Sequence, residues 1–400
     1  MDISHRKITK RIRFKDAGDN AIANRKICIK QTGHEFLFGC GAFDFFPYVM
    51  RGVEEYKEIT DKWLEVFNYA TLPFYWGMFE REEGKPDTEI LMKTSGYLID
   101  NNVKVKGHTL CWHTICAPWL LEYDNQTIMK KQLERIEREV TDFKGRIDIW
   151  DVLNEAVIMP KFDKYDNAVS RICREKGRLG LIKETFEKAH ECNPEATLIL
   201  NDFNTSKDYA DLIDECLNAG VPINAIGIQS HQHQGYWGKE KFEEVLDRFS
   251  SFGLPLHFTE NTLVSGDLIP GYIEDLNDWQ VEEWPSTPEG EERQAKEAEE
   301  IYRILFSHPL VKAVTNWDFR DGAWLKAPGG LIRKDNSIKP SYEKLKNLIR
   351  NEWWTDTEVI TDSEGFAEID AFKGDYLISC DDLQVAISLN DKLGDEIKFI

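Results

Sequence analysis

The chain is short of several things. It has no Cys-x-x-Cys pair and no Cys/His cluster at zinc spacing, although eight cysteines are scattered through its 400 residues. That pattern predicts reduced, mostly buried thiols and gives no reason to invoke a metal or other cofactor. No apolar run reaches the roughly 18–20 residues that span a bilayer. No solenoid-type repeat, low-complexity segment or Gly/Ser linker interrupts the sequence. Basic residues are outnumbered, 50 against 71 acidic, for a formal charge of −21. Such a surface repels nucleic acid and anionic membranes and leaves neutral or cationic partners. The opening residues Met1 to Lys7 lack the apolar core and small-residue cleavage site of a secretory leader, so the chain as it stands is expected to be cytoplasmic. Removal of a leader would leave the same start on a secreted protein. Nothing specifies an oligomeric state.

Hydrophobic residues make up 42% of the chain, enough for a large core. Twelve Trp and thirteen Tyr are many for this length. Part of them fills that core; the rest supplies the flat faces on which sugar rings stack. Short apolar runs alternate with amphipathic ones from residue 36 onward, at 36–43, 69–74, 103–112, 147–155, 197–203, 225–231, 255–260 and 313–319. Helix-like stretches fall between them, among them 127–143, 171–192, 208–219, 239–252 and 291–307. Eight β-then-α units predict an α/β protein with a closed (β/α)8 barrel, here over residues 36–352. The acidic stretch 282–300 reads as a solvated, charged helix face.

The two ends read differently. Strand-like runs at 7–14 and 26–31 flank the turn-rich Asp16-Ala17-Gly18-Asp19-Asn20, and five more follow Trp353-Trp354. Neither end has strands enough for a fold of its own. Residues 1–35, as a hairpin, and 353–400 are therefore expected to pair into one small β-sandwich beside the barrel, with Trp353 and Trp354 packing at the junction.

The run at 147–155 ends in Asn154-Glu155, and the run at 255–260 ends in Thr259-Glu260. Alone, Glu155 is as well read as a helix cap. In a barrel, however, both strand ends open on one face, so the two carboxylates can confront each other across the mouth. One protonated and one ionised carboxyl facing a sugar-sized cleft are what glycosidic cleavage requires. Other strand ends add Gly107-His108-Thr109-Leu110-Cys111-Trp112-His113, Asn201-Asp202-Phe203-Asn204, Gln229-Ser230-His231, and Trp317 with Trp324.

With these motifs in this order, over roughly residues 36–350, the chain resembles glycoside hydrolase family ten, the retaining β-1,4-xylanases built on a (β/α)8 barrel. The resemblance implies a β-linked glycan or oligosaccharide as substrate, Glu155 as acid/base and Glu260 as the nucleophile that forms a covalent glycosyl-enzyme. It implies that Asn154 holds the 2-hydroxyl of the −1 sugar and that His108, Trp112, Gln229, His231, Trp317 and Trp324 surround that sugar. His231 is expected against the nucleophile, Asn201 and Asp202 as groups that orient neighbours, and His113 as a structural histidine. No metal or organic cofactor is implied.

The chain also departs from the family. The acidic residue, Asn and Lys usual at the end of strand two are missing from Thr71-Leu72-Pro73-Phe74-Tyr75-Trp76-Gly77-Met78-Phe79-Glu80, where only Trp76 and Glu80 match. The Gln usual after strand three is Ile115, and the acid usual two residues past the nucleophile is Thr262. These changes predict an aromatic, less polar grip on the glycone and a His231 without its second partner. They leave room for a different β-linked substrate, including a glycosylated aromatic or terpenoid, and for a barrel that binds carbohydrate without cutting it.

Overall fold

A computed structural model describes residues 2–399. Eight parallel strands, β3 (Leu37–Gly41), β4 (Tyr69–Pro73), β5 (Lys104–Cys111), β6 (Ile149–Asn154), β7 (Thr197–Asp202), β8 (Ala225–Gln232), β9 (Leu256–Leu263) and β10 (Val311–Asn316), close into a barrel in chain order, with β10 hydrogen-bonded to β3. These strands are buried on both faces, which is why they read as continuous apolar runs and not as alternating ones. The space between the barrel strands and the helices outside them is tight, and Trp150 packs there on Phe74 and Phe143. A Cβ at Gly107 on β5 would lie 2.1 Å from the indole of Trp150 on β6, so glycine there makes room for a fully buried Trp.

The crossover helices start where capping residues stop them. Asp124, Asn167 and Thr287 accept backbone N–H bonds at 2.7, 2.7 and 3.0 Å at the starts of Asn125–Asp142, Ala168–Cys192 and Pro288–Phe306. The last of these corrects the expectation for the acidic stretch. Glu289 and Glu292 are exposed, but Glu291 turns inward and pairs with Arg333 at 2.5 and 2.8 Å, while Gln294 is buried. One face of that helix therefore packs on the barrel.

The chain ends form two sheets around a common core that includes Ile12, Phe14, Ile27, Ile29, Ile369, Ile378 and Ile397. The strands are β1 (Lys7–Lys15), β2 (Lys26–His34), β11 (Asp356–Ile360), β12 (Phe366–Phe372), β13 (Gly374–Cys380), β14 (Leu383–Leu389) and β15 (Glu396–Lys398), ordered β12-β1-β15 in one sheet and β11-β2-β13-β14 in the other. β1 and β2 are not a hairpin, contrary to expectation. Each sits within a different sheet, because only then do Ile12 and Phe14 face Ile27 and Ile29 across a shared interior. Arg6 fastens this sandwich to the barrel by donating to the carbonyls of Phe306, His308 and Val311 at 2.7–2.8 Å. Trp353 stacks on Phe306 with centroids 4.1 Å apart, and Arg350 lies over the Trp354 ring. All eight cysteines are free, five of them buried. Among the described residues no helix is long and apolar enough to cross a membrane.

Candidate active site

The C-terminal ends of β5 to β10 and the connections that follow them bring Asn154, Glu155, Glu260, His108, Trp112, Gln229, His231, Trp317 and Trp324 to one mouth. β6 ends at Asn154, and Glu155 turns into the left-handed region with φ of 59°, a bend held by its N–H bonding to the carbonyl of Asn201 at 2.8 Å. The turn re-aims the carboxylate from the strand direction toward the cleft. Trp112 Nε1 donates to Glu155 Oε2 at 2.8 Å, and Gln229 and Asn154 reach Oε1 at 3.3 Å. Burial pushes the Glu155 carboxyl up to about 8. The Trp112 bond opposes this, and the negative charges of Glu260 and Asp202 add to it.

Glu260 lies within β9 and is 4% exposed. Asn201 donates to its Oε1 at 2.8 Å, and His231 Nε2 lies 3.1 Å from Oε2. Burial is again the largest influence and pushes upward. Here it is outweighed by the charge of His108, by the His231 bond and charge and by Lys106, which together hold the carboxyl below the ordinary glutamate value. A hydrogen-bonded chain joins the two carboxylates. Asn154 Oδ1 accepts from Asn201 at 2.8 Å and from Gln229 at 3.0 Å, and Asn201 Oδ1 accepts from Thr259 at 2.6 Å. Asn201 thus orients both Asn154 and Glu260, while Asp202 accepts the N–H groups of Val157 and Asn204 at 3.0 and 2.9 Å and fixes the turn after Glu155.

Aromatic rings wall the site. His108 is surrounded by Tyr75, Trp112 and Trp317, with ring centroids 5.7, 6.1 and 5.4 Å away, and Phe43 lies 5.4 Å beyond Trp317. Trp324 lies 4.6 Å from His231. Tyr75 stands in the strand-two region where the polar grip was missing, and burial with the charges of Glu260, Asp318 and Glu155 holds its hydroxyl protonated. Trp76 and Glu80, the two matching residues there, are bonded to each other at 3.0 Å and support the wall from behind. Ile115 is exposed. His113 packs on Phe162, with Nε2 4.0 Å from Glu155. Burial lowers its ring to about 4, so it meets Glu155 as a neutral group.

One expectation needs revising. His231 does have a second partner: Thr262 Oγ1 lies 3.0 Å from Nδ1. A hydroxyl donates to a neutral ring or accepts from a charged one, whereas a carboxylate favours only the charged ring.

The largest feature missed in the sequence lies beneath the mouth. Lys106 and Asp151, both fully buried, are 2.6 Å apart, and the same Asp151 oxygen is 2.7 Å from His108 Nδ1. This orients His108 toward Glu260, 3.9 Å from its Nε2. The available signal was a charged residue inside an apolar run destined for burial on both faces. Asp318 was missed as well. Both its oxygens are buried without a hydrogen-bond partner, and burial, followed by Asp321 and Asp44, lifts it to about 8. Among the described residues no group of three or more His, Cys, Asp or Glu side chains is arranged to hold a metal ion.

Known proteins share this architecture. Endo-1,4-beta-xylanase B of Thermotoga neapolitana is 26% identical over 317 residues, which cover 74% of this chain and 84% of that protein. The anti-sigma-I factor RsgI6 of Acetivibrio thermocellus is 25% identical over 395 residues; the match takes in 94% of this chain but 45% of that longer protein. Among solved structures, xylanase 10B from Thermotoga petrophila RKU-1, in complex with xylobiose, superposes with a TM-score of 0.65 at 23% identity, covering 80% of this chain and 95% of that one. The profile of glycosyl hydrolase family 10 runs through residues 57–348, from ahead of β4 to beyond β10 and across both carboxylates, and the chain belongs to that family.

Proposed function

We propose that this chain is a retaining glycoside hydrolase that cleaves β-1,4-xylosidic bonds in xylan or xylo-oligosaccharides, with residues 36–352 as its catalytic unit and the terminal sandwich as an accessory. One observation carries the reading. Two carboxyls linked through Asn154 and Asn201 are held in opposite protonation states, Glu155 protonated up to about 8 and Glu260 ionised. Xylanases among the relatives, one of them bound to xylobiose, support the choice of sugar.

In the first step a Glu260 oxygen attacks the anomeric carbon as the bond to the leaving oxygen breaks, and the Glu155 proton moves to that oxygen. A glycosyl ester on Glu260 remains and Glu155 is ionised. Glu155 then takes a proton from water, the water oxygen attacks the anomeric carbon, and Glu260 departs as a carboxylate. Two inversions leave the β configuration unchanged. Asn154 lies between the two carboxylates, where the 2-hydroxyl of the −1 sugar is expected. His108, Gln229 and His231 offer the remaining polar contacts; Trp112, Trp317 and Trp324 offer faces to stack on. Proton NMR of the first-formed product from a defined xylo-oligosaccharide tests this. The β anomer is expected, and the α anomer would reject the mechanism.

A further inference from the structure

At the mouth of the barrel the connections after β7 and β8 are short, residues 203–206 and 233–237, whereas the one after β9 runs from 264 to 287. That segment shares a small core with the connection after β10: its Val264, Ile269 and Trp284 are buried with Ala327 of that connection, and Leu276 and Trp279 pack against them. Its path is fixed at four places. Ile269 N–H donates to the carbonyl of His233 at 2.9 Å, and Gln234 Nε2 donates to the carbonyls of Pro270 and Ile273 at 3.1 and 2.8 Å, so the segment passes over the end of β8. Asp275 and Asp278 then each lie 2.7 Å from Lys164, which follows Glu155 on the other side of the mouth. Asn277 accepts from Trp324 Nε1 at 3.4 Å, and Lys326 donates to the carbonyls of Val281 and Glu282 at 3.3 and 3.2 Å. Asp275 also comes close enough to His113, beside Glu155, for its charge to oppose the effect of burial on that ring.

The segment therefore leaves the strand that carries Glu260, passes over the end of β8, and meets the connection that begins at Glu155. The leaving oxygen receives its proton from Glu155, so the leaving group departs on Glu155's side of the reacting bond. We propose, on the reading of Glu155 and Glu260 given above, that residues 264–287 form a strap over the leaving-group side of the cleft. The strap limits the leaving group to a short one, and the substrates are short β-linked xylo-oligosaccharides in preference to the interior of a long xylan chain. An unstrapped groove accepts a polymer laid in from the side; a strapped one requires a chain end to enter beneath. Lys164, Asp275 and Asp278 are partly or largely exposed, so the pin between the two sides of the mouth is a weak one that salt loosens.

The test compares kcat/KM on xylotetraose and on a soluble xylan polymer, per chain, for the natural chain, for Lys164→Ala and for a chain in which residues 267–283 are replaced by a short Gly/Ser link. The natural chain is expected to prefer xylotetraose by about 100-fold or more, with slow viscosity loss relative to reducing-sugar release. Shortening the strap is expected to raise polymer cleavage about tenfold while the xylotetraose rate stays within about threefold. Lys164→Ala keeps the core beneath the strap, so it serves if the shortened chain fails to fold; it and high salt are expected to move the ratio the same way by severalfold. Rapid viscosity loss with the natural chain, or a ratio that none of these changes moves, would overturn the strap while leaving the glycosidase reading intact. No cleavage of either substrate would overturn that reading and the strap with it.

Discussion

Glu155 and Glu260 are the same side chain in one mouth, 15% and 5% exposed, yet their surroundings drive them in opposite directions. Around Glu155 stand neutral donors, Trp112, Gln229 and Asn154, with a neutral His113 nearby, and burial prevails. Around Glu260 stand His108 and His231, with Lys106 behind, and their charge prevails over burial. The comparison teaches that desolvation alone does not distinguish an acid from a nucleophile. The sign is set by whether the partners bring charge or only hydrogen bonds.

The sharpest way to break the comparison is to delete one member at a time. Glu260→Ala is expected to lower kcat on xylo-oligosaccharides by about 10^5-fold while circular dichroism stays unchanged. A smaller drop would reassign the nucleophile. Glu155→Gln is expected to lower kcat/KM by about 10^2 to 10^4-fold for a sugar leaving group, and by far less for a dinitrophenyl xylobioside, whose leaving group departs without a proton. Its pH profile checks the sign. The first step needs Glu155 protonated, so the natural chain loses rate as pH rises through about 8, and that limb disappears in the variant.

Asp151→Asn tests what sets the Glu260 side. It removes the charge that holds Lys106 and orients His108, and is expected to lower kcat/KM by about 10-fold. It is also expected to move the acid limb of the profile, which reports Glu260, and leave the basic limb in place; equal movement of both would mean a general loss of structure. The smallest effect concerns Asp318, a third buried carboxyl lifted to about 8. Its folded value lies above the ordinary 3.8, so the stability tied to its neutral form is present at low pH and is lost as pH rises toward 8. Asp318→Asn is therefore expected to stabilise the chain by more at pH 8 than at pH 5, read from urea unfolding at both. A gain at pH 5 equal to that at pH 8 would show that ionisation is not the cause.

Much of this architecture is legible in the residues, and what is not has a common cause. The eight barrel strands stand out because burial on both faces leaves unbroken apolar runs, and Asn154-Glu155 and Thr259-Glu260 stand out as the polar residues that close them. Lys106 and Asp151 are hidden inside such runs. Their meaning depends on β5 and β6 lying side by side with the two side chains facing inward together, which the strand pattern of neither reveals. Lys164 with Asp275 and Asp278 is hidden for the same reason, since loops at opposite sides of the mouth meet only after the barrel has closed. The expected hairpin at the start fails because local turn signals between β1 and β2 do not say whether the strands pair with each other or with partners some 350 residues away.

Those distant partners impose an order on synthesis. β1 pairs with β12 along its length and with β15 at its end, and β2 lies between β11 and β13. β1 and β2, made ahead of the barrel, thus wait with unpaired edges until all eight barrel strands have been made. The sandwich closes last, and a chain that stalls late in translation leaves both of its sheets open.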